Sequence, residues 1–139
     1  MGQSGTGKIG VYYNYCAATA GSYCYGNGTS YGSPSGNATE DICPKGWRMP
    51  TGGASGEYQA LYTAYSSSNA NFVNALKAPL SGGFNNGSAN SWGSGGDFWS
   101  STYLGAANIY TLHVGTSNVL PQASNIRYFG FSIRCLFGA

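Results

Sequence analysis

Apolar positions fall in short clusters between long stretches of Gly, Asn, Ser and Thr, and their spacing changes along the chain. Residues 9–15 read I-G-V-Y-Y-N-Y, β-branched and aromatic, and predict a first strand. Residues 26–39 are rich in Gly, Asn, Ser and Pro and predict a loop. Tyr58, Leu61, Tyr62 and Tyr65 recur at helical spacing, so 57–65 predicts a short amphipathic helix. Thr51 or Ser55 could cap it, and Glu57 suits its first turn. Phe72, Val73 and Leu76 make the apolar face of a second short helix over 69–77, which Pro79 stops.

Beyond Pro79 the period changes to two. A brief strand is expected near Phe84, another over 97–102, and a third over 108–114. In the third, Tyr110, Leu112 and Val114 alternate with Ile109, Thr111 and His113. The first set is expected to face the core and the second to face out. Residues 115–118, G-T-S-N, predict a turn. Residues 128–136 alternate again, with Phe129, Phe131, Ile133 and Cys135 on one face. A strand, two short helices and then several antiparallel strands make an α+β pattern. Residues 1–8, M-G-Q-S-G-T-G-K, are polar with no apolar h-region and read as a linker or an added start. Residues 9–139 then form one domain, with no internal repeat.

Composition narrows the class. Only 7% of the 139 residues are charged, against roughly 25% in an ordinary domain. Aromatic residues reach 15%, too many for a disordered chain. No apolar run approaches the ~18 residues of a membrane span, so direct membrane insertion is not expected. Lys8, Lys45, Arg48, Lys77, Arg127 and Arg134 are scattered, so no phosphate-tracking stripe exists and nucleic acid is not an expected partner. Low charge with abundant Gly, Ser, Asn and Tyr suits a secreted or cell-surface protein, and it is the composition of adaptable binding loops. Cys16, Cys24, Cys43 and Cys135 contain no C-x-x-C. Two disulfides in an oxidising compartment fit them. Cys16 and Cys24 enclose a short loop that could close locally, in which case Cys43 and Cys135 would join mid-chain to chain end. The other reading is four buried free thiols.

Three motifs stand in order: C-P-K-G-W-R-M-P-T at 43–51, F-W-S-S-T at 98–102 and G-F-S-I-R-C at 130–135. Together they resemble the Fibrobacter succinogenes major paralogous domain, a bacterial surface-protein module with similar C-P-x-G-W-x-L-P-T, W-S-S-T and G-x-S-V-R-C patterns. The resemblance covers residues 42–136; Cys16 and Cys24 lie outside it. That family is similar to a branch of the C-type lectin fold, in which a chain-terminal strand returns beside the first strand. Two short helices there flank a twisted antiparallel sheet. The fold implied is therefore α+β and C-type lectin-like. The resemblance also implies that Trp47, Trp99 and Phe131 are core, that Cys43 pairs with Cys135, and that W-R-M-P-T puts a buried strand end before the first helix. The same fold carries the variable proteins of diversity-generating retroelements, whose ligand-binding residues sit near the C-terminus.

Catalytic and metal chemistry are sparse. Carboxylates are limited to Glu40, Asp41, Glu57 and Asp97, whereas calcium takes six to eight oxygens. Sugar-binding C-type lectins typically carry E-P-N or Q-P-D and W-N-D triplets; this chain has L-P-Q at 120–122 and no W-N-D. No metal or cofactor is expected. Formylglycine-generating enzymes share the fold and use cysteine chemistry, but Cys43 and Cys135 match the structural pair of the paralogous domain. His113 is the only imidazole and reads as a contact residue rather than a general base. The G-x-G patterns lack a phosphate-loop context. Asn27, Asn37 and Asn86 open N-x-S/T triplets, acceptors only in a glycosylating pathway.

The expected activity is therefore ligand binding without catalysis, by protein or glycan contact with another cell or surface. The candidate contact residues are Tyr103, Leu104, Asn108, Ile109, Thr111, His113, Asn118, Asn125, Arg127 and Tyr128. Aromatic anchors among small polar neighbours suit such a surface. Many of these residue types arise from an asparagine codon by changes at its adenines, as a diversified variable protein requires. The competing expectations are a formylglycine-generating-type enzyme and a structural surface or adhesin component without a specific ligand.

Overall fold

A computed structural model describes residues 11–24 and 35–138. Residues 1–8, Ile9 and Asn27 lie outside the described residues. The chain is mixed α+β, with short helices and antiparallel sheets. In order come α1 (Tyr15–Ala18), β1 (Trp47–Arg48), α2 (Glu57–Ala64), α3 (Asn69–Leu76), β2 (Gly83–Asn85), β3 (Ser88–Asn90), β4 (Gly95–Tyr103), β5 (Asn108–Gly115), β6 (Val119–Ile126) and β7 (Leu136–Phe137). β4, β5 and β6 form an antiparallel sheet in that order, and β2 with β3 make a hairpin. β1 pairs with β7, so the end of the chain returns beside the first strand.

Both predicted helices form. Neither expected cap occupies the N-cap position of α2, which is Gly56; the Glu57 backbone N–H instead donates to Thr51 Oγ1 from the preceding loop at 2.9 Å. The Ser68 side chain accepts from Asn71 N–H and caps α3. Lys77 closes α3 in the left-handed region (φ 48°), just before Pro79. Tyr58 reaches from α2 to donate to the Trp99 carbonyl at 3.0 Å, which seats the helix on β4.

The first expected strand is corrected. Tyr13 makes a single antiparallel bridge with Phe131, and Asn14 then accepts from Ala17 N–H at 2.9 Å and starts α1. The cap outweighs the β propensity of the tyrosines, and Tyr15 is fully buried with its hydroxyl on the Ser101 carbonyl. The alternating run at 128–136 is corrected too. It does not form one strand but bridges Phe84, Tyr13 and Phe98 in turn before β7. Each neighbour offers one residue of pairing, so no ladder accumulates.

Two apolar clusters lie on opposite faces of β4–β6. Tyr15, Ala18, Met49, Trp99, Tyr103, Ile109 and Phe131 fill one; Tyr58, Phe72, Ala78, Phe98, Leu112, Val114 and Val119 fill the other. Trp99 and Phe131 are core as the resemblance implied, and the Trp99 indole N–H donates to the Tyr13 carbonyl at 2.7 Å. Met49 and Pro50 are buried ahead of α2. Trp47 is corrected: it is 46% exposed and stacks edge-on against Phe137, because β1 and β7 form a two-stranded ribbon whose face is left open among the described residues. Both disulfides are closed, Cys16–Cys24 and Cys43–Cys135, the second across 92 residues.

Candidate functional site

The register of the main sheet decides what the candidate residues can do. β4 and β5 pair Asp97 with His113 and Trp99 with Thr111. β5 and β6 pair Ile109 with Asn125, Thr111 with Ala123 and His113 with Leu120. Ile109, Thr111 and His113 therefore share a face, as the alternation predicts. That face is not open along its length. Ile109 is 1% exposed and Thr111 is fully buried, beneath the cluster that contains α1 and Phe131. Tyr103 is buried in the same cluster. Both faces of β5 are covered there, so Tyr103, Ile109 and Thr111 are withdrawn from any contact surface.

Accessibility on this face returns toward His113. Its Nδ1 lies 3.3 Å from each oxygen of Asp97. The Asn125 amide donates to Asp97 Oδ1 at 3.3 Å and to the Thr111 hydroxyl oxygen at 2.9 Å. The four side chains stitch β4, β5 and β6 together. Burial pushes the Asp97 carboxyl pKa upward, because the site desolvates the charged form; His113 and Asn125 oppose that shift. Gly95 and Gly115 pair across the strands beside the imidazole, and neither carries a side chain to cover it.

The ten expected contact residues do not form one patch. Thr111, His113 and Asn125 meet in the network, and Asn118 lies beside it in the β5–β6 turn. Leu104, Asn108 and Tyr128 are exposed at the other end, where Leu104 N–H donates to the Asn108 carbonyl and Arg127 N–H to the Ala107 carbonyl. At ~3.3 Å per residue, Asn108 and His113 stand about 17 Å apart along β5. Two residues were missed. Asp97 gave no local signal, since its role depends on standing opposite His113. Leu120 is 50% exposed beside His113, and a register shift between Thr111 and His113 moves its position on the partner strand.

A second polar cluster serves the fold. Arg48 holds Glu57 through two 2.6 Å hydrogen bonds and ties β1 to α2. Glu57 also accepts from Thr51 N–H at 3.0 Å. These donors, the Arg48 guanidinium foremost, hold the Glu57 carboxyl down at about 2. The cluster lines a cavity of about 440 Å³ with Asn37, Asp41 and Ser101. Asp41 accepts from the Cys43 and Met49 backbone N–H groups at 2.8 Å, so its carboxylate is engaged by the chain. Among the described residues, no three His, Cys, Asp or Glu side chains gather as a metal cage. All four cysteines are in disulfides. No described helix is long and apolar enough to cross a membrane. Comparison with family models, curated proteins and solved structures gives no significant match.

Proposed function

We propose that the protein is a non-catalytic ligand-binding module with a C-type lectin-like fold, secreted or displayed on a cell surface. Its contact surface is the accessible end of the β4–β5–β6 face and the loops around the sheet. The observation that carries this reading is the Asp97–His113–Asn125–Thr111 network. Its His113 and Asp97 side chains are partly accessible above the buried Thr111 and are bordered by exposed Asn118 and Leu120. Positioned polar groups beside an exposed apolar residue are what a specific interface uses.

Three observations support the fold assignment. The last strand lies beside the first, α2 and α3 pack on one side of the main sheet, and Cys43–Cys135 closes the ring between them. The closed bridges favour binding over formylglycine-generating chemistry, which needs a reactive cysteine. They also suit an extracellular setting.

The module is further read as the diversified protein of a diversity-generating retroelement. Sequencing the coding segment for residues 85–136 across the source population tests this. Substitutions are expected at adenine positions of exposed Leu104, Asn108, Asn118, Leu120 and Tyr128 and of the partly exposed His113, with silence at buried Tyr103, Ile109 and Thr111. Equal variation at buried and exposed positions, or spread over all bases, would sink the diversified contact surface.

A further inference from the structure

His113 is the only histidine of the chain, and its two ring nitrogens face different surroundings. Nδ1 lies against the Asp97 carboxylate, 3.3 Å from both oxygens. A carboxylate at Nδ1 keeps the proton there, so the neutral ring presents Nε2 as a lone-pair acceptor. Nε2 faces Gly115. A Cβ at that position would stand 3.4 Å from Nε2 and collide with the carboxamide oxygen of Asn118. Glycine at 115 thus lets the Asn118 carboxamide oxygen settle against the strand close to the imidazole nitrogen. A Cβ at Gly95, on β4, would in turn stand 3.2 Å from His113 Cε1. Asp97 faces the ring from β4. β6 contributes Leu120 and Asn125, and the turn contributes Asn118, none of which ionises.

We propose that His113 Nε2 and Asn118 Oδ1 form an acceptor pair for a primary ammonium group, a lysine side chain of a protein ligand. An ammonium has three donors and no acceptor, so two converging acceptors match it. Asp97 behind the ring favours its charge. The half-exposed Leu120 offers apolar surface for the lysine stem. The assignment rests on the accessible end of the sheet being the contact surface.

Nitrogen NMR on ¹⁵N-labelled protein tests it, and a lone histidine needs no assignment. The expected tautomer carries its proton on Nδ1, with Nε2 bare. N-acetyl-lysine amide is expected to shift the Nε2 signal, while N-acetyl-norleucine amide and methyl glucoside leave it in place. Asn118→Ala is expected to weaken lysine-amide binding roughly tenfold. A dominant Nε2–H tautomer overturns the proposal. So does an equal response to norleucine amide or glucoside, or unweakened binding by Asn118→Ala. Population variation at the exposed positions with no response to lysine amide would overturn the ammonium assignment and leave the binding module standing.

Discussion

Glu57 has a visible role in the sequence and a larger one in the fold. Its place in the first turn of a helix is readable from the apolar period that follows it. Its grip on Arg48, nine residues upstream, appears only when β1 is laid beside α2. The pair lowers the Glu57 pKa from 4.5 to about 2. A carboxylate held low in the native state contributes stability that is whole above pH 4.5 and is lost as pH falls through about 2. Urea unfolding of the native chain is therefore expected to show a fall in stability across that window, and Glu57→Gln to flatten it. Because both side chains are about one-third exposed, the substitution should cost only about 1 kcal/mol at pH 7. An unchanged acid limb in Glu57→Gln would place the acid sensitivity in another carboxylate.

At the scale of elements, the strands separate what alternation can and cannot say. Period two correctly divided β5 into Ile109, Thr111 and His113 on one side and Tyr110, Leu112 and Val114 on the other. It assigned the first set to solvent, because apolar content was higher in the second. α1 and the 128–133 segment cover that side as well, so Thr111 is a buried hydroxyl with a purpose: its oxygen accepts from Asn125. Thr111→Val keeps the shape and removes the acceptor. It is expected to cost about 1–2 kcal/mol in chemical denaturation, the penalty for an amide left short of a partner. The double variant with Asn125→Ala should cost less than the sum of the singles. Strict additivity would show that the amide and hydroxyl do not act together. Helices α2 and α3 were readable at nearly residue accuracy from their apolar stripes, with Glu57 at the start of one and Pro79 beyond the end of the other, whereas the short α1 read as part of a strand. The 128–136 segment was not, because its pairing is divided among three neighbours.

On the scale of the whole molecule, the two disulfides constrain very different lengths of chain. Cys16–Cys24 spans 8 residues and Cys43–Cys135 spans 92. Chain-entropy reasoning gives about 2.5 kcal/mol for the short loop and about 4.6 kcal/mol for the long one. Replacing both cysteines of the long bridge by serine is expected to lower unfolding free energy by roughly twice as much as the matching change in the short bridge. Equal losses would mean that the long bridge gains little beyond the β1–β7 pairing next to it. That pairing also joins the chain end to the start of the helical layer, so the main sheet lies inside a covalent ring.

By itself the sequence determined what is local: two short helices, several strands with their alternating faces, and an even set of cysteines. These follow from neighbouring residues, whose dihedral preferences and side-chain period act within one or two turns. Tertiary structure alone decided which face of β5 lies open, which ring of the 43–51 motif is exposed, and where Asp97 stands relative to His113. Burial on a strand depends on what covers each face, and a cross-strand pair depends on register, which a bulge can shift by one residue. The candidate site is therefore written in residues that the sequence displays, but it exists only because three strands bring Asp97, His113 and Asn125 together.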